Sequence, residues 1–246
     1  MKLIKHYLTK NRCYIANNKM KPCGIVVHST GANNPNLTRY VDDSSLGKVS
    51  SEHWNQSKTA VCVHGFIGKC ADGSIAVVQT LPFDVKCWGC GSGPKGSYNN
   101  THIQFEICED ALNDKKYFDA VYNAAVEFCA YICKECNIPV SAITTHCDAH
   151  KAGYASNHGD VMHWFPKFGK NMDGLRSAVS KKLNTSEYKV RVVKNGLAIR
   201  NGSNNTCKKI GEIKNNGVYT IVEVKGHYGL LKSGAGWINL RYTVRL

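Results

Sequence analysis

The sequence predicts an α/β domain followed by a small all-β barrel, and three observations carry that expectation. Between residues 24 and 164, short β-rich runs alternate with a long amphipathic helix, the pattern of a layered α/β fold whose strand-end loops carry the site. After residue 187 come the short β-like runs YKVRVV, LAIR, YTIVEV, YGLLK, GWINL and YTVRL, punctuated by NG, NN and GAG. Closely spaced strands with frequent turn signals are the signature of a small barrel. The charge also changes: residues 188–246 carry 11 Lys/Arg against 2 Asp/Glu, or +9, whereas the rest carries 21 against 16, or +5.

The bulk numbers bound the class. A chain of 246 residues holds one large domain, or one domain plus a small module. Apolar residues at 43% and charged residues at 20% exclude a disordered chain. No apolar run reaches the roughly 18 residues of a membrane-spanning helix. The opening stretch MKLIKHYLTKNRCYIANNK is basic but develops no apolar core, so no secretory signal is expected. Twelve irregularly spaced cysteines without such a signal read as thiols rather than a disulfide framework. The basic tail favours a polyanionic partner: nucleic acid, an anionic membrane or an acidic wall polymer.

Taken in order, GIVVHST is a strand ending near His28, and VCVHGFIG, SIAVVQTL and THIQFEICE are further strands. KKYFDAVYNAAVEFCAYICKEC places Phe118, Val121, Tyr122, Ala125, Cys129, Ile132 and Cys133 at helical spacing. That stripe makes a buried helix face and reads Cys129, Cys133 and Cys136 as core residues before a metal clip. SAITTH is a short strand ending at His146, and MDGLRSAVSKKL is a second helix with Asp173 as its N-cap. LNTSE breaks that helix, giving domains at 1–183 and 188–246 with a linker at 184–187.

The chemistry concentrates in THCDAHKAGYASNHGDVMHW, residues 145–164, with four histidines, two aspartates and a cysteine. His28 and His146 each end a β-rich run, where a scaffold either satisfies a core histidine or presents a ligand rigidly. Two such histidines and one carboxylate match a catalytic zinc set of three protein ligands and one open position. Asp160 is the nearest carboxylate that a Gly-rich loop can fold back. In THIQFEICE, alternation puts Gln104, Glu106 and Cys108 on one face. Glu106 either faces solvent or, buried beside a metal, takes a proton from water as general base. His158 supplies a cation or donor for an oxyanion. Cys87 and Cys90 lie in the Gly-rich stretch DVKCWGCGSGPKGSYNN, which leads into a strand rather than a helix. That setting suits a groove wall better than a thiolate nucleophile.

Four separated motifs, GIVVHSTG, HGFIG…DGSIAVVQTLPFDVKCWGCGSG, NNTHIQFEICE and TTHCDAHKAGYASNHGDVMHWF, resemble the zinc-dependent N-acetylmuramoyl-L-alanine amidases of the amidase-2 or peptidoglycan-recognition-protein family. The resemblance spans about residues 20–180, in the form found in Firmicute bacteria and their phages. It implies a central mixed β-sheet flanked by helices. It also implies His28, His146 and Asp160 as Zn2+ ligands, Glu106 as general base and His158 as the oxyanion-stabilising residue. The reaction implied is attack of water on the lactyl amide between N-acetylmuramic acid and L-alanine of peptidoglycan.

Three departures stand out. The interval from His146 to Asp160 is long, leaving His158 and His163 as alternatives for the third ligand. Trp88 is followed by Gly89 where relatives often have histidine, and Val161 follows Asp160 where they often have proline. His150 and His163 read as structural or surface residues. The tail resembles a bacterial SH3-type domain, which implies binding to peptidoglycan and anionic wall polymers rather than to a specific nucleic acid. Such a two-domain plan is that of phage endolysins and wall autolysins, acting on the wall after release from the cytoplasm. The competing readings are a cysteine-dependent wall peptidase using Cys87 or Cys90 with His146, and a non-catalytic wall-binding protein.

Overall fold

The structure is a computed structural model and describes residues 1–184 and 187–246. The chain divides into two compact units, Met1–Val179 and Ser180–Leu246. The division falls inside the last helix, a few residues before the expected boundary. The expected linker lies partly outside the described residues.

The first unit is built on a six-stranded mixed sheet. Its strands are β1 (Leu3–Lys5), β2 (Gly24–Ser29), β3 (Gly65–Lys69), β4 (Ile75–Gln79), β5 (His102–Ile107) and β6 (Ile143–Thr145), ordered β1-β4-β3-β5-β2-β6. Only β3 and β4 pair antiparallel; the remaining neighbours run parallel. β2 lies between β5 and β6 with every residue buried. That explains why GIVVHS reads as an almost unbroken apolar run: strands of parallel sheets are covered on both faces.

The parallel register positions the site. His28 stands opposite Glu106, and Val27 opposite Thr145, so β2, β5 and β6 end along one edge of the sheet. Residues in register on parallel neighbours share a face, about 4.8 Å apart. His28, Gln104 and Glu106 therefore project from one side of the sheet.

The opposite side is sealed by α2 (Lys115–Cys136), which follows the five-residue α1 (Arg12–Ala16). Asp114 caps α2 by accepting from the Tyr117 amide at 3.0 Å, and Asn137 ends it in the left-handed region. Its stripe buries Phe118, Val121, Tyr122, Ala125, Cys129, Ile132 and Cys133. Phe128 meets Phe105 edge-on, with ring centroids 5.2 Å apart. On the front face Tyr40 stacks on Phe66 at 4.8 Å, and Trp54 packs edge-on against Phe66 at 5.1 Å. Phe66 is in register with Glu106, so this aromatic cluster forms apolar ground beside that carboxylate.

Three expectations are corrected here. His146 does not end a strand: Thr145 closes β6 and caps α3 (His146–Lys151), its hydroxyl accepting from the Asp148 amide at 3.0 Å. His146 is thus the first residue of a helix. In α4 (Met172–Asn184) Asp173 lies in the first turn, and Asn171 does the capping by accepting from the Gly174 amide at 2.8 Å. The VCVHGFIG run also pairs as β3 only from Gly65 onward.

The second unit holds a seven-stranded antiparallel sheet ordered β13-β7-β10-β11-β12-β8-β9. Its strands are β7 (Tyr188–Val192), β8 (Leu197–Arg200), β9 (Lys209–Ile213), β10 (Val218–Lys225), β11 (Tyr228–Leu231), β12 (Trp237–Asn239) and β13 (Thr243–Arg245). Val190, Val192, Leu197, Ile213, Ile221, Leu231 and Ile238 form its core. Six of these strands sit on the six runs read from the sequence, and β9 is the addition.

Candidate metal centre

Three polar side chains converge beyond the sheet edge. His28 Nδ1 lies 3.0 Å from Asp160 Oδ2, His146 Nδ1 lies 3.2 Å from His28 Nδ1, and His146 Nδ1 lies 3.6 Å from Asp160 Oδ2. His28 comes from the end of β2, His146 from the start of α3, and Asp160 from the loop that follows α3. Among the described residues this is the one group of His, Cys, Asp and Glu found close enough to share an ion.

The protonation of the triad follows from its neighbours. Asn99 Oδ1 accepts from the backbone amides of Gly89 and Cys90, each at 3.0 Å, so it is the carbonyl oxygen. It also accepts from Gln104 Nε2 at 2.9 Å, which fixes the Gln104 carboxamide with Oε1 toward His28. An oxygen there requires His28 Nε2 to donate, at 2.9 Å, leaving the Nδ1 lone pair bare toward Asp160. His146 is set in the same way. The Ser156 hydroxyl donates to the Cys90 carbonyl at 3.2 Å, so it accepts from His146 Nε2 at 3.3 Å, and His146 Nδ1 faces the triad.

Three electron-pair donors facing one point repel unless a proton or metal cation sits among them. Burial alone would raise the Asp160 carboxyl, but a cation between it and the two rings, in the simplest case a proton shared from a facing Nδ1 of His146 or His28, holds it well below the usual carboxylate range. The donor set fits Zn2+. Tetrahedral bonds of 2.0–2.2 Å imply ligand separations of roughly 3.3–3.5 Å, close to the three measured here.

Glu106 stands beside this triad. Its Oε2 is sealed from solvent and has no hydrogen-bond partner among the described residues. Burial, then the nearby charges of Asp160 and Glu109, pushes its carboxyl well above the ordinary range. An orphaned buried carboxylate oxygen is costly, and its persistence marks a group awaiting a ligand or proton. His158 is exposed, with its ring 4.5 Å from that of His146 and its Nδ1 3.3 Å from the Ser156 hydroxyl.

These residues line a cavity of about 750 Å³ with Trp54, Val61 and Trp88 as its apolar wall. Val61 and Trp88 are among the exposed large apolar side chains of the chain. The wall is fixed by paired backbone contacts between Cys62 and Trp88. The Asp160 loop is fixed against the Gly-rich loop, with the Ser156 amide donating to the Cys90 carbonyl and the Lys95 amide to that of Gly153, both at 2.9 Å. Two glycines permit this approach. A Cβ at Gly93 would lie 2.5 Å from the Gly153 carbonyl oxygen, and one at Gly89 would lie 2.6 Å from Gln104 Oε1.

The other candidates do not join the triad. His163 lines the same cavity but contacts Glu109 at 2.8 Å, and His150 contacts the Ala155 carbonyl at 3.1 Å. Cys87 and Cys90 are buried, and burial raises both thiols, opposite to what a thiolate nucleophile needs. Gln104, Asn99 and Ser156 were not among the site residues expected from sequence. The alternation that placed Gln104 on the Glu106 face was a signal for it, but its role depends on the register with β2.

This fold and site define a family. The chain matches the N-acetylmuramoyl-L-alanine amidase family, amidase-2, over residues 18–160, and belongs to it. It is 29% identical over 127 residues to the N-acetylmuramoyl-L-alanine amidase CwlH of Bacillus subtilis (strain 168). That match covers 52% of this chain and 44% of CwlH, so the chain spans under half the length of this relative. Among solved structures, the Staphylococcus aureus hydrolase AmiA in complex with its ligand superposes with a TM-score of 0.55 at 19% identity, covering 74% of this chain and 83% of that one. PlyL gives a TM-score of 0.51 at 21% identity over 72% of this chain and 97% of its own. These likenesses establish the shared fold.

Proposed function

We propose that the chain is a peptidoglycan hydrolase that cleaves the amide between N-acetylmuramic acid and the L-alanine of the stem peptide, with Zn2+ as its cofactor. The observation that carries the reading is the pairing of a bare-lone-pair His28–His146–Asp160 triad with an orphaned Glu106 oxygen in one groove. Family membership narrows the substrate to this amide.

His28, His146 and Asp160 would hold the ion. Its chemistry when bound is Lewis-acid polarisation of the scissile carbonyl and acidification of water. Glu106 takes the proton of the attacking water on its free oxygen and returns it to the departing L-alanine nitrogen. The apolar ground of Phe66 and Trp54 keeps that carboxyl protonatable. His158, on the exposed side of the groove, donates to the oxygen that gains charge. Trp88 and Val61 offer apolar surface to the glycan or stem peptide and exclude water from the reacting bond.

Residues 188–246 serve, in this reading, as an SH3-type wall-binding module, and the whole acts as an endolysin or autolysin. No helix among the described residues is long and apolar enough to cross a membrane. The test is hydrolysis of a soluble muramoyl-peptide. Activity lost on chelation, restored by Zn2+ and indifferent to thiol alkylation supports the reading; activity indifferent to chelation and abolished by alkylation refutes it.

A further inference from the structure

The acidic side chains of residues 187–246 are Glu187, Glu212 and Glu223. Each is occupied by a lysine: Glu187 by Lys232 at 2.7 Å, Glu212 by Lys209 at 2.6 Å and Glu223 by Lys225 at 3.0 Å. Among the described residues, the other Lys and Arg side chains of this stretch have no carboxylate at ion-pair distance. Two of them, Lys194 and Arg200, line one cavity of about 350 Å³ together with Asn205, Tyr228, Asn239 and Tyr242. Among the described residues no carboxylate lines it.

The cavity is organised. Arg200 Nη1 donates to the Cys207 carbonyl at 2.7 Å, which anchors the guanidinium and leaves its other N–H groups for a ligand. That carbonyl is itself held by a turn in which Asn204 Oδ1 accepts from the amides of Thr206 and Cys207, at 3.0 and 2.9 Å. The Lys194 ammonium sits 4.2 Å from the centre of the Tyr242 ring, which tethers it to another residue of the cavity lining. Tyr228 is buried, and no described residue hydrogen-bonds its hydroxyl. Asn205 and Asn239 add amide donors and acceptors.

We infer that this cavity is a subsite for one phosphate-bearing unit of a polyol-phosphate polymer. A guanidinium fork and an ammonium recognise the phosphate, while the tyrosine and asparagine groups face its hydroxyl-rich neighbour. The inference rests on the proposed wall-binding role of this module and specifies its ligand. A duplex nucleic acid fits less well, because it engages several successive phosphates along an open stripe. Here two unpaired cations line one cavity of about 350 Å³, room for a single unit rather than a stripe of them.

The test measures sedimentation of the full chain with cell walls that carry polyol-phosphate polymers, and with the same walls stripped of phosphodiesters by hydrofluoric acid. A short poly(glycerol phosphate) and a duplex DNA serve as soluble competitors. Lys194→Ala/Arg200→Ala should weaken binding to intact walls about ten-fold, whereas Lys208→Ala/Lys214→Ala, with the same change in charge, should weaken it less than about two-fold. Arg200→Lys, which keeps charge but not the fork, should fall between. Equal losses for both double variants would reduce the site to diffuse charge and overturn the inference. So would undiminished binding to stripped walls, or stronger competition by DNA than by poly(glycerol phosphate). Hydrolysis of the soluble muramoyl-peptide, measured in parallel, should be unchanged in Lys194→Ala/Arg200→Ala. Failure of that hydrolysis in the unaltered protein would instead count against the amidase reading.

Discussion

His28 Nε2 donates to Gln104 Oε1 at 2.9 Å, and this one bond decides which nitrogen of His28 faces the candidate metal centre. Gln104 is held in turn by Asn99, which also binds the backbone of Gly89 and Cys90 in the loop that carries Trp88. The metal site and the groove wall therefore share one hydrogen-bonded chain. Outer partners of this kind commonly contribute 10–100-fold to metal affinity.

Gln104→Leu should accordingly keep the fold and lower Zn2+ affinity by about 10–100-fold. Competition against a chromophoric chelator measures it. Unchanged affinity would show that the His28 ring is held by packing alone.

Glu106→Gln should separate chemistry from binding. The amide keeps the shape of the side chain and cannot accept the proton of water, so the rate of amide hydrolysis should fall at least about 100-fold with Zn2+ content unchanged. Elemental analysis of the same preparation gives the metal content. A variant that loses its metal together with its activity would make Glu106 part of the ion's support.

Gly93→Ala should act at a distance. The added methyl meets the Gly153 carbonyl and forces apart the two loops that bring Asp160 to the histidines. Zn2+ affinity should drop while the unfolding midpoint moves little, because the strained loops lie outside the sheet core.

Acid should destabilise the first unit above the pH at which ordinary carboxylates titrate. His64 and His102 are both buried, and burial lowers each to about 4. His64 is locked as the neutral ring, donating to the Val85 carbonyl at 2.9 Å and accepting from the Gln104 amide at 3.0 Å. In the unfolded chain both rings gain a proton below about 6.5, so the unfolded state binds more protons between that value and 4. Stability is complete above pH 6.5 and falls with pH across that window, by up to roughly 3 kcal/mol for His64. Denaturant unfolding at a series of pH values measures it, and His64→Gln should flatten the slope.

Much of this architecture was legible because it is local. α2 occupies the stretch that its apolar spacing predicted, β2 and β4 sit on runs whose burial on both faces leaves an apolar signature, and β5 shows as an alternation of apolar and polar residues. What escaped was short or non-local. β1 has three residues and α1 five, too few for a period to emerge, and β9 is largely exposed. Thr145 fits both the end of a strand and the cap of a helix, so SAITTH read as ending at His146 when the helix begins there. His28, Glu106, His146 and Asp160 were named from residue type and position. Gln104, Asn99 and Ser156 were not, because their roles exist only once β2, β5 and the two loops are in register. Gly89, a departure from the family pattern, has its reason in that register too, since the Gln104 carboxamide occupies the space a larger residue needs.

The most direct measurement is the mass of the fragments released from purified peptidoglycan. The account predicts intact glycan strands and free stem peptides beginning with L-alanine, produced only with Zn2+ present and not by Glu106→Gln. Fragments cut within the stem peptide or the glycan, or released equally well after chelation, would contradict it.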